Sequence, residues 1–128
     1  MMKKTLTAIL GVALLAGCAS TSESDANLLA ADRAEQLSRL MPLDIDKYKF
    51  VRAQSRDAVV LIEVLYGGGS KLAPSQMLAQ SVINFCKDPS LRDVMGKGVH
   101  YAVTIRDIRG RPIAEQLVNE QACQQVAL

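Results

Sequence analysis

Ala58-Val59-Val60-Leu61-Ile62-Glu63-Val64-Leu65-Tyr66 decides how the rest of the chain is read. It is a β-branched and aliphatic run with a single charge inside it. Gly67-Gly68-Gly69 breaks it off, so it reads as a strand. Val60, Ile62 and Val64 share one face; Val59, Leu61, Glu63 and Leu65 make the other, which is also mostly apolar. Upstream, Tyr48 to Gln54 is a second strand-like run. Only Ser55, Arg56 and Asp57 separate the two, which predicts a hairpin. Downstream, Val99 to Asp107 alternates, with Val99, Tyr101, Val103 and Ile105 facing one way and His100, Ala102, Thr104 and Arg106 the other. Arg109-Gly110 then turns the chain into a further strand, about Pro112 to Val118.

Helical patterns fill the remaining segments. Asp25 is placed to cap a helix over about Ala26 to Leu40, whose stripe is Leu29, Ala30, Arg33, Ala34, Leu37 and Leu40, and Pro42 ends it. Asp44 and Asp46 fall in the linker that follows. Pro74 suits the first turn of a second helix reaching about Lys87. Asp88-Pro89 restarts a short third helix, with Asp88 as its N-cap and Gly96 or Gly98 as its stop. Asn119 caps a last short helix that carries Cys123. The order α-β-β-α-α-β-β-α, with short hairpins, predicts an α+β fold: a largely antiparallel four- to five-stranded sheet flanked by about four helices that pack on one face. With 128 residues the chain holds one small domain.

The amino-terminal end is of a different kind. Lys3 and Lys4 precede an apolar stretch, Thr5 to Leu15, that is too short to span a bilayer but suits the core of an export signal. It ends in Leu15-Ala16-Gly17-Cys18, which resembles the lipobox of bacterial lipoproteins. The expected organisation is a cleaved signal peptide over 1–17, an acylated Cys18 with a flexible tether over 18–25, and one domain over 26–128. Two or more acyl chains anchor stably where one binds marginally. Ala19 and Ser20 follow the anchor where Asp would retain an enterobacterial lipoprotein at the inner membrane. The route implied is the lipoprotein sorting machinery to the outer membrane, on its periplasmic face.

Setting Cys18 aside leaves Cys86 and Cys123 in an exported protein, and an even count in an oxidising compartment predicts a structural disulfide. Two cysteines and one histidine are too few for a metal site, and no Cys-x-x-Cys motif suggests redox chemistry. Without the two leader lysines, basic and acidic residues balance at 13 each, which disfavours nucleic-acid binding. The triple glycine is followed by no Lys-Ser or Lys-Thr at phosphate-loop spacing. Ser81, His100 and Asp107 form a catalytic trio on paper only, with no Gly-x-Ser-x-Gly motif behind it. Arg106, Arg109 and Arg111 read as a solvated hairpin turn. No catalytic residue, cofactor or metal is expected.

The chain resembles the AspS-type (GspS-beta) pilotins of bacterial type II secretion systems. The resemblance is carried by Cys18-Ala19-Ser20, Asn27-Leu28-Leu29-Ala30, Pro42, Tyr48 and Ala53-Gln54-Ser55. It continues through Cys86-Lys87-Asp88-Pro89, Met95, Gly98, Tyr101, Thr104-Ile105 and Asp107 to Cys123. It implies a sheet flanked by helices with a disulfide. It also implies a binding role: an outer-membrane lipoprotein that captures the C-terminal S-domain of the secretin, the secretion channel, and directs its targeting and assembly. A different class of function remains open at this point, a structural or inhibitory envelope lipoprotein that binds another periplasmic partner.

Two places hold more apolar residues than one core needs, and exposed apolar area marks interaction sites. One is the outer row Val59, Leu61 and Leu65; the other is the second helix, with Met77, Leu78 and Ile83. The helix is the preferred partner surface, because Met77 is adaptable and Ile83 stands off the face shared by Val82 and Phe85.

Overall fold

The computed structural model describes residues 18–126. The elements are α1 (Cys18–Ser38), β1 (Leu43–Ile45), β2 (Tyr48–Arg56), β3 (Val59–Tyr66), α2 (Pro74–Lys87), α3 (Pro89–Gly96), β4 (His100–Arg106), β5 (Pro112–Val118) and α4 (Glu120–Gln124). The five strands form one sheet in the order β1-β2-β3-β4-β5. Three of its four pairings are antiparallel, and the central β3–β4 pair is parallel. A parallel neighbour needs a long crossover, which α2 and α3 supply.

Both tight turns on the β1–β2–β3 side are built on aspartate. Arg56 pairs with Val59 across Asp57-Ala58, and Ile45 pairs with Tyr48 across Asp46-Lys47. Asp57 and Asp46 take the left-handed conformation at φ 52° and 58°, which Asp tolerates better than most side chains. The hairpin turn is therefore shorter than the expected Ser55-Arg56-Asp57, since β2 runs on through Arg56. The linker at Leu43-Asp44-Ile45 is corrected to a strand: three residues are too few to display a period of two, so only its pairing with β2 reveals it.

The helices cover a single face of the sheet. That face presents Tyr48, Ala53, Val60, Ile62, Val64, Tyr101, Val103, Ile105 and Val118, all buried. Ala26, Ala30 and Ala34 give α1 a stripe without bulk, so the helix lies close on β2 and β3. Met77, Leu78, Val82 and Cys86 of α2 fill the space towards β5, α3 and α4. Three long-range hydrogen bonds tie polar groups together in this layer. Tyr48 Oη donates to Leu72 O at 2.6 Å, Arg33 Nε donates to Tyr101 Oη at 3.3 Å, and Ser38 Oγ donates to Ala53 O at 2.7 Å. Tyr48 stacks on Tyr66, and Phe85 meets Tyr101 edge to face. Burial pushes the Tyr48 phenol up to about 12.

The ends of α1 differ from expectation. The helix begins at Cys18, so the stretch read as a flexible tether is helical and Asp25 lies inside the element instead of capping it. Once a helix is nucleated on the sheet, each added residue gains a hydrogen bond for little further cost, which lets the helix extend over a polar stretch of sequence. At the other end α1 stops at Ser38, and Leu40 is exposed instead of completing the stripe. The signal-peptide reading of 1–17 falls outside the described residues.

Candidate interaction surface

Asp88 is the hinge between α2 and α3. Its carboxylate accepts from Ser90 N, Ser90 Oγ and Leu91 N, capping α3 as the sequence predicts. These bonds, the Ser90 hydroxyl first, hold its carboxyl below the usual range. The cap positions Arg92, whose guanidinium forks onto both oxygens of Glu120 at 2.8 and 2.9 Å. Arg92 Nη1 also donates to Cys86 O at 3.5 Å. The Arg92 bond holds Glu120 below the carboxylate range, and Glu120 holds Arg92 above its own. Beneath this pair, Cys86 and Cys123 form the predicted disulfide, with Cα atoms 5.4 Å apart. Asn119 caps α4 through Ala122 N at 2.8 Å. The short last helix is thus tied to α2 by a covalent bond and to α3 by a charged fork.

The residues singled out from the sequence go to three places. Met77 and Leu78 are in the core and offer no surface, because α2 packs on β5 with one side and on α3 and α4 with another. Ile83 is half-buried on α2. Val59, Leu61 and Leu65 are half-buried on the sheet face that the helices leave uncovered. Across that face runs an ion triad, with Glu63 between Arg52 and Arg106 at 3.3 Å each. The apolar row is therefore divided by charge. Cys18 opens α1.

The paper trio is not assembled. Ser81 Oγ donates to Met77 O, His100 Nδ1 meets Asn119 Nδ2 at 3.2 Å, and Asp107 accepts from Arg109 N, Arg111 N and Arg111 Nε. Those bonds, from Arg111 first, hold Asp107 below the carboxylate range and make it the organiser of the β4–β5 turn. Among the described residues, no three His, Cys, Asp or Glu side chains group as metal ligands.

A further concavity lies beside α1, away from the residues singled out from the sequence. A cleft of about 820 Å³ runs between α1 and the end of α3, lined by Asp25, Leu28, Leu29, Asp32, Gly96 and Lys97. A second depression of about 570 Å³ shares Gly96 and Lys97 and continues to Arg92 and Glu120. Leu28 is 67% exposed there. The signal was present: Leu28 is an apolar residue that stands outside the α1 stripe. One residue before it, the buried Oδ1 of Asn27 has no hydrogen-bond partner.

Among known proteins, Pilotin AspS 2 of Escherichia coli O78:H11 and Lipoprotein YghG of Escherichia coli K12 are each 33% identical over 98 residues, covering 75% of this chain and 71% of theirs. The solved structure of EpsS, a pilotin from the Vibrio vulnificus type 2 secretion system, superposes with a TM-score of 0.75 at 31% identity. It covers 82% of this chain and 97% of that one. The type II secretion pilotin AspS from Vibrio cholerae gives 0.74 at 28% identity, covering 84% of this chain and 100% of its own. Residues 22–123 match the family model for the type II secretion system pilotin, S protein, and the chain belongs to that family.

Proposed function

We propose that this pilotin is an outer-membrane lipoprotein that binds the C-terminal S-domain of the type II secretion secretin and directs the channel's targeting and assembly. The observation that carries the reading is the family match across residues 22–123, which spans nearly the whole described fold. The leader pattern supports the address: a signal peptide over 1–17 is removed, Cys18 is acylated, and Ala19-Ser20 lets the sorting machinery carry the protein to the periplasmic face of the outer membrane. Residues 18–25 then link the anchor to the domain over 26–128. No described helix is long and apolar enough to cross a membrane, so the acyl chains supply the attachment in this reading. The protein acts by binding and carries out no catalysis.

Pull-down of the tagged protein from detergent-solubilised envelopes tests this. The secretin is the expected main partner. Recovery of a different periplasmic enzyme or a glycan-bound protein, with no secretin, would overturn the reading.

A further inference from the structure

We infer that the end of the sheet opposite the point where α1 enters is a separate interaction surface, and that it takes an acidic, partly apolar segment of a periplasmic protein other than the secretin. Because β3 and β4 run parallel and their neighbours antiparallel, the β1–β2 turn, the loop after β3 and the β4–β5 turn all emerge at that end. They form one continuous surface. Ser70 Oγ donates to Asp46 of the β1–β2 turn, and Ser70 N donates to Tyr66 Oη at 3.1 Å. A Cβ built on Gly67 would stand 3.2 Å from Ile108 Cγ2, so the glycine loop lies against the β4–β5 turn.

This surface offers positive charge around an apolar tip. Lys47, Lys49, Lys71 and Arg109 are exposed, and none of them stands in an ion pair among the described residues. Arg106 and Arg111 are held by Glu63 and Asp107, so the carboxylates left to face the four cations are Asp44 and Asp46. From Cys18 onward the chain as a whole is neutral, so this excess of cations is local. Ile108 is 82% exposed, more than any other large apolar side chain described. Place and charge select the occupant. Ala26 of α1 packs at Gly98, just before β4, and the seven residues of β4 put about 20 Å between that entry and the basic turns. With Cys18 anchored as proposed above, the basic end faces away from the anchoring bilayer; the inference rests on that reading for this orientation alone. A second copy would bring like charge, and a glycan would leave Ile108 without apolar cover. An acidic segment with an apolar residue meets both demands.

Fluorescence polarisation of a short labelled peptide of Glu, Ser and Leu, with a Gln-for-Glu copy beside it, tests this. Wild type is compared with Lys71→Glu/Arg109→Glu, with Ile108→Ser, and with the charge-matched pair Arg56→Glu/Lys87→Glu outside the surface. Thermal midpoints are taken in parallel. The first pair should weaken binding of the Glu peptide by about tenfold or more, and Ile108→Ser by less. The matched pair should bind as wild type does, the Gln copy should bind poorly, and affinity should fall as salt rises. Equal loss in both pairs, or no binding by wild type, overturns the inference. So does wild-type binding to phosphatidylglycerol vesicles or peptidoglycan sacculi without binding to the peptide, or a dimer that the first pair alone disrupts. If the first pair fails to fold, Ile108→Ser decides, and full affinity there overturns the inference. Secretin recovery in the envelope pull-down should be unchanged by Lys71→Glu/Arg109→Glu; its loss would show the two surfaces to be one and overturn the inference. Absence of secretin with wild type overturns the function proposed above and leaves the peptide result standing.

Discussion

Replacing both half-cystines, Cys86→Ala with Cys123→Ala, separates what the covalent bond contributes from what the native contacts contribute. The sequence separation is 37 residues, and closing a loop of that length restricts the unfolded chain by about 4 kcal/mol in the chain-entropy model. Both cysteines are nearly inaccessible, at 4% and 3%, so their alanine replacements stay within the core and the native state loses little beyond the sulfurs. Arg92 still forks onto Glu120 and Asn119 still caps α4, so the last helix keeps its charged tie to α3 and its local cap. The double variant should therefore remain folded, with wild-type far-UV circular dichroism in water. Its unfolding free energy should drop by about 4 kcal/mol, a large share of a small domain's net stability. For a domain of this size that is a fall in Tm of roughly 15–30 °C. Urea titration followed by circular dichroism measures it. A loss below about 1 kcal/mol would refute the entropic reasoning. Loss of native structure in water would show that α4 depends on the bond alone.

Three further outcomes follow from the core and its charges. Ile105→Ala, at a fully buried position on β4, should cost about 2–5 kcal/mol in a urea titration; a cost under 1 would place the residue outside the core. Asp88, Asp107 and Glu120 are all held below their ordinary carboxyl values by hydrogen bonds. The unfolded chain then takes up protons first, so their contribution is present above the usual carboxylate range and is lost as pH falls through and below it. Asp88→Asn should flatten the acid limb of Tm against pH, and an unchanged limb would remove Asp88 from the account. Tyr48 has the opposite form: its phenol keeps its proton to about 12 when folded, and the unfolded phenol ionises near 10, so stability should fall as pH rises through that interval. Tyr48→Phe should reduce the slope, as followed by thermal melts at stepped alkaline pH.

The parts of the fold that were legible are those marked by punctuation or by clean alternation. Pro74 and Asp88-Pro89 set both internal helix starts, and β4 alternates without a break. The parallel β3–β4 pair was not read, although β3 carries its mark: a run apolar on both faces is typical of a central strand. Strand β1 stayed hidden because three residues show no period, and the start of α1 because residues 18–25 carry no apolar stripe to announce a helix. The disulfide was legible because assigning Cys18 to the anchor leaves two cysteines in an exported chain. The interaction surface was not. Abundance of apolar residues on α2 reflects packing on several neighbours, which places Met77 and Leu78 in the core. Leu28, an exposed apolar side chain outside the alanine stripe of α1, stands out only once α3 is seen across from it.

The central claim, that the anchored pilotin delivers the secretin, is tested most directly by where secretin multimers sediment on a sucrose gradient of total membranes. The gene would be deleted and restored either as wild type or as Cys18→Ser, which removes the thiol that the proposed acylation needs and leaves the sheet and the side chains packed on it unchanged. The account predicts secretin multimers in the outer-membrane fractions with wild type, and their displacement from those fractions in the deletion and with Cys18→Ser. Secretin multimers at normal level in the outer-membrane fractions of the deletion strain would contradict it.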